Sequence, residues 1–146
     1  MNLISYQILE AMQSLWLAAS TSSTVVPGGL WYARVPQDVE IPYGIVLIED
    51  GKKTFTTNGY FLQNFTVTVS VYSAGGPGAT NAKTIAALVG TTFDFCDKRV
   101  TLTDARLISF TPSANTIELQ PELRNAEDVM VTKMAYEIIA SGGYSL

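Results

Sequence analysis

The sequence has no histidine and a single cysteine, Cys96, in 146 residues. The commonest general base and the commonest metal ligand are therefore missing. A lone cysteine cannot close an intramolecular disulfide, and beside Phe93 and Phe95 it reads as a small buried hydrophobe. That usage suits a reducing compartment. Charged residues are also scarce, at 15% against a typical ~25%. Lys and Arg total 9 and Asp and Glu 13, for a net charge of −4, and no basic run occurs. Binding to a phosphate backbone needs a basic surface, and none is encoded here. No uninterrupted apolar run reaches membrane-spanning length. Leu3 to Ala19 is broken by Gln7, Glu10 and Gln13 and lacks a cationic start, so it reads as mature structure.

The acid–base inventory extends these exclusions. No Asp/Glu cluster has metal-ligand spacing, so no metal or cofactor is expected. Glu49-Asp50 adjoins Gly51 and reads as a solvated turn. Gly75-Gly76-Pro77-Gly78 precedes a helix but lacks the spacing of a phosphate-binding loop. Lys83 beside Thr84 is the nearest approach to a base–nucleophile pair, yet adjacent helix positions point apart. Trp31-Tyr32 reads as one ring in the core and one at an edge, although such a pair can also stack a ligand. An enzyme is not expected.

What the sequence does contain is Tyr60 to Ser73. Phe61, Phe65, Val67, Val69 and Val71 alternate with Asn64, Thr66, Thr68 and Ser70. A period of two with β-branched and aromatic residues predicts a long central strand with one core face. The other face carries no charge between Gln63 and Tyr72. Asn64, Thr66, Thr68 and Ser70 are thus candidates for contact with another protein surface. A solvated Thr-rich face of an antiparallel sheet fits the same pattern.

The remaining elements follow from periodicity. Ile4, Ile8, Met12, Leu15, Trp16 and Ala19 recur at helical spacing over residues 3–19. Ser20 to Thr24 is a polar run, and Pro27-Gly28-Gly29 forbids a helix there. Leu30 to Val35 predicts a short strand closed by Pro36. Tyr43 to Glu49 predicts an inner strand, with Asp50-Gly51 a turn and Lys53 to Thr57 a returning arm. Asn58-Gly59 is a second turn. A helix is expected over Thr80 to Phe95, weakened at Gly90 by about 1 kcal/mol relative to alanine. Arg99 to Leu102 reads as extended, and Ala105 to Thr111 and Asp128 to Ala140 as strands. Between them, Pro112 to Glu127 predicts an extended loop or protruding hairpin about residues 112–127. Its Ile117, Leu119 and Leu123 are candidate docking residues, because a solvated linker has no need of them. A mobile tail is expected over 141–146. The whole is one α+β domain, a mainly antiparallel sheet with two helices packed on one face.

The order of elements resembles the tail-completion, or tail-terminator, proteins of long-tailed bacteriophages. The resemblance rests on the N-terminal helix, the small strand ending in Pro36, and Pro42-Tyr43 opening the strand GIVLIE. It continues through Val67-x-Val69-x-Val71-Tyr72, the Ala-rich helix at Ala79 to Val89, the Arg106-Leu107 strand and the Tyr136-Glu137-Ile138 ending. It spans nearly the whole chain, and none of its motifs is a signature. This chain departs in having fewer Arg and Glu in its helices and a longer, more polar connection at Pro112–Glu127.

The resemblance implies a six-fold ring of identical subunits, a homohexamer. Such a ring caps the tail tube protein, meets the head-neck connector proteins and lets DNA pass without specific binding. It implies a virion location in the tail or neck, after assembly in the host cytoplasm. A head-tail connector of the same neck is the near alternative. A free-standing ferredoxin-like binding module is the distant one.

Overall fold

A computed structural model of the chain describes residues 3–32, 38–39, 41–55, 59–74, 80–119 and 129–143. Three helices, α1 (Ile4–Ala18), α2 (Ser22–Val25) and α3 (Thr80–Phe93), accompany five strands. The strands are β1 (Leu30–Tyr32), β2 (Tyr43–Phe55), β3 (Tyr60–Ala74), β4 (Ala105–Leu119) and β5 (Val129–Gly143). They form one sheet in the order β1-β2-β3-β5-β4. Only β1 and β2 run parallel; the other neighbours are antiparallel. This is the expected α+β fold with a dominant antiparallel sheet, and β3 lies at its centre.

The alternation in β3 produces the expected two faces. Phe65, Val67, Val69 and Val71 are buried to 1% exposure or less. They meet Ile8, Met12 and Trp16 of α1 and Ile85, Val89 and Phe93 of α3 in one core. Trp16 stacks on Phe93 with ring centroids 6.0 Å apart, and Phe93 meets Tyr136 of β5 edge-on at 6.4 Å. Burying a side chain of this size contributes roughly 1.5–3 kcal/mol, so this stripe is what holds the helices to the sheet.

Several boundaries differ from those expected, for physical reasons. The Ser/Thr run does form one helical turn, α2. Ser22 hydrogen-bonds Ala19 O through both its N–H and its hydroxyl (3.2 and 3.0 Å), which supports the turn where α1 ends. Asp50-Gly51 is not a hairpin turn, because β2 runs through it to Phe55. The extra residue is absorbed as a bulge between Asp50 and Lys53, where a side chain at Gly51 would strike the Asn64 carbonyl. The true turn lies by Gly59, whose φ of 79° suits glycine.

Helix α3 passes through Gly90 but stops at Phe93, two residues early. Phe95 then adopts a left-handed φ of 52°, which turns its ring to solvent (61% exposed) and its neighbour Cys96 into the core. Arg99 to Leu102 forms no strand. Arg99 instead donates through Nη2 to Thr92 O at 2.8 Å, and Leu102 is buried.

Pro112 does not end a strand as expected. β4 continues through it to Leu119, paired with β5, with a bulge between Pro112 and Ala114. Because β4 is an edge strand, a proline facing outward costs it no ladder hydrogen bond. Likewise Ser141 to Gly143, expected in the tail, pair with Tyr60 to Leu62. Residues 120–128, including Leu123, and 144–146 lie outside the described residues, as does the Gly75–Gly78 loop.

Candidate interaction surface

The face of the sheet away from the helices is built in rows across β2, β3, β5 and β4. One row is Ile45, Ser70, Lys133 and Thr116; the next is Leu47, Thr68, Ala135 and Ala114. The third is Glu49, Thr66, Glu137 and Thr111, and beyond it Asn64 sits beside Ile139 and Ser109. Asn64 is exposed, whereas Thr66, Thr68 and Ser70 are half-buried among these neighbours.

The stripe in β3 is uncharged, as the sequence indicates, but its surroundings are not. Thr66 lies between two carboxylates, and its hydroxyl is 3.4 Å from both Glu137 oxygens. Ser70 lies beside Lys133. Strand pairing brings residues 49, 66, 133 and 137 together, and no local pattern encodes that pairing. Apolar groups complete the surface: Leu47 is 53% exposed, Leu62 40% and Ile139 37%. At its other end the face closes, because Tyr43 and Tyr72 stack at 5.3 Å and Val131, paired with Tyr72, is buried.

Ile117 and Leu119 lie on the end of β4, level with Thr132 and Met130. They therefore belong to the sheet's edge strand, one row or more beyond Ser70.

The turn end of the β2–β3 hairpin carries a second group. Phe55 is 61% exposed and meets Phe61 at 6.0 Å, with the Lys53 ammonium 4.3 Å from the Phe61 ring centre. Neither Phe55 nor Lys53 was singled out from sequence. The misplaced turn at Asp50-Gly51 concealed that both stack along one continuous strand.

Among the described residues, no three of His, Cys, Asp and Glu cluster as a metal site would require. Burial pushes the Cys96 thiol up to about 12, so it stays protonated and unreactive near neutrality. Glu49 and Asp50 are exposed within β2, and Lys83 and Thr84 are both exposed on α3. Trp31 is half-buried and donates Nε1–H to Gly28 O at 2.7 Å, while Tyr32 packs against the core. An open groove of about 740 Å³ beside the start of β4 is lined by residues of mixed character, including Asp97, Lys98, Leu102 and Arg106. None of the described helices is long and apolar enough to cross a membrane.

No protein-family model and no curated protein matches the chain. Solved structures do. A chain described as part of the "Virion of native gene transfer agent (GTA) particle" superposes with a TM-score of 0.69 at 14% identity. The match covers 97% of this chain and 100% of that one. The two share a fold over nearly all of this chain and all of that one. A second solved chain aligns over 99% of this chain at 13% identity, but its TM-score of 0.49 is too low to bear on fold or function.

Proposed function

We propose that this chain is a structural, non-enzymatic virion protein whose copies form a ring that terminates a phage tail tube and joins it to the head-neck. The supporting observation is the end-to-end likeness to a chain of a gene transfer agent virion. The sheet's uncovered face and the low charge content agree with a subunit that completes its surface by assembly. In this reading the ring is a homohexamer, as the resemblance to tail terminators implies, and heterologous contacts between its copies close it. Its other partners are the tail tube protein and the head-neck connectors. Asn64, Thr66, Thr68 and Ser70, with Ile117, Leu119 and Leu123, are contact residues. DNA crosses the channel without specific binding, and the protein resides in the tail or neck of the virion. A head-tail connector of the same neck is the second reading, favoured by the scarcity of Arg and Glu in the helices. Light scattering coupled to size exclusion, followed by electron microscopy of the peak, tests the proposal. Six-fold rings that cap purified tail tubes are expected. A strict monomer at every concentration, even with tail tube protein present, refutes it.

A further inference from the structure

The sheet leaves two backbone edges open among the described residues. β1 covers β2 from Gly44 to Val46, and Leu47 to Phe55 has no outer partner among the described residues. On the opposite side β4 is the last strand. Its first half is occupied: Phe95 N–H bonds Phe110 O at 3.0 Å, and Pro112 has no N–H to offer. Ser113 to Leu119 has no such cover. Isolated domains commonly blunt long edges with lysines or inward charges, and Ser113 to Ile117 carries neither.

The orientation of the free groups follows from the ladder. Gly44 N–H points outward to Gly29 O, so Gly44, Val46, Ile48 and Asp50 present their backbone groups to the outside of β2. Phe110 O points outward from β4. Allowing for the bulge at Pro112/Ala114, Asn115 and Ile117 do the same. Ile117 is level with Thr132, Val71 and Gly44, in the row that faces the helices. The outward groups of both edges thus belong to helix-side rows. This follows from the four antiparallel strands β2, β3, β5 and β4, an even number. A second copy in the same orientation can therefore add antiparallel, with its helix layer on the same side.

We infer that the edge of β2 from Leu47 pairs antiparallel with the Ser113–Glu118 edge of β4 in a second copy of this chain, so that one sheet continues from subunit to subunit. The inference rests on the ring reading and specifies its joint. Charge selects the register. With Ile48 opposite Ile117, Glu49 lies beside the neighbour's Thr116, whose cross-strand partner is Lys133. Among the described residues no carboxylate pairs with Lys133 within its own chain. Leu47 is level with Ala114 in one chain and meets residue 118 of the next, an offset of 118 − 114 = 4 residues. At ~3.3 Å per residue over four strands ~4.8 Å apart, a closed ring then tilts its strands by about 35°, as barrels do.

The test is disulfide trapping of the full-length double variant Glu49→Cys/Thr116→Cys. These positions face each other as a non-hydrogen-bonded pair, the closer kind. Mild oxidation should give a ladder of covalent multimers ending at the ring size, while each single variant stays uncross-linked. Rings that form without cross-linking overturn this joint and leave the ring reading intact. Cross-linked dimers from a single variant show a two-fold joint and overturn it. A chain that remains monomeric overturns both. Asn115→Pro removes an N–H that points away from β5, so a folded subunit that no longer assembles is expected. Rings formed by that variant count against the inference.

Discussion

The Tyr136 hydroxyl donates a 2.9 Å hydrogen bond to Asp94 Oδ1, joining the middle of β5 to the residue just past α3. Its ring meets Phe110 at 5.0 Å and Phe93 at 6.4 Å, and it is fully buried. Burial, with the Asp94 carboxylate second, holds the phenol well above the usual tyrosine range. The bond sits where α3 ends, one residue before the left-handed turn at Phe95.

Tyr136→Phe keeps the ring and loses this bond. Hydrogen bonds to charged acceptors contribute roughly 1.5–3 kcal/mol, and Asp94 is half-buried, so a loss of about 1–2 kcal/mol is expected. Urea unfolding of both proteins measures it. An unchanged midpoint means that the bond does not contribute to stability.

The faces of β3 make opposite predictions at adjacent positions. Val69→Asp places an unpaired charge in the core and should prevent folding. Thr68→Asp lies on the outer face and should leave a folded monomer with impaired assembly. Circular dichroism and thermal melting rank the two, and the reverse order would mean that the faces are inverted.

Cys96 should resist thiol reagents in the folded protein, reacting at pH 8 only as fast as the chain unfolds. The folded thiol holds its proton to about pH 12, against 9.0 for an exposed one. Its contribution to stability is therefore complete below pH 9 and is lost as pH rises toward 12. Over that window stability should fall more steeply for the wild type than for Cys96→Ala. Rapid stoichiometric labelling of folded protein would contradict this assignment.

Six subunits at −4 each give 6 × −4 = −24. Such a ring repels phosphate, so no DNA affinity is expected at physiological salt in an anisotropy assay. Salt-sensitive nanomolar binding would be incompatible with a passive channel.

Hydrogen exchange distinguishes a self-serving β4 edge from a docking one. Amides of Asn115 and Ile117 point away from β5 and should exchange quickly in the monomer and slowly in the ring. Protection already present in the monomer would assign this stretch to the chain's own fold.

Wherever one face of an element is buried, the sequence is informative. Ile8, Met12 and Trp16 of α1 and Phe65, Val67, Val69 and Val71 of β3 lie in the core on the faces that their periodicity predicts. It misleads where a turn signal is overruled by pairing: Asp50-Gly51 and Pro112 both look like ends, and both became bulges in long strands. β3 and β5 pair without a register shift from Tyr60 to Ala74, and the defects fall in the strands outside them, β2 and β4. The charges around Thr66 and Ser70 were illegible for a different reason. Glu49, Lys133 and Glu137 come from distant parts of the chain, and only the strand order makes them neighbours.

That strand order also dictates timing. β5 is the last of the five strands to leave the ribosome, yet it lies between β3 and β4, so until it emerges the three-stranded β1-β2-β3 unit and the lone β4 have no strand to join them. The pairings of residues 60–74 with 129–143 join positions 129 − 74 = 55 to 143 − 60 = 83 residues apart and must form late. Until then the inner edges of β3 and β4 are both bare and open to mispairing with other chains. Any truncation before Val129 therefore removes the keystone of the sheet and not its margin, leaving fragments with more exposed edge than the intact subunit.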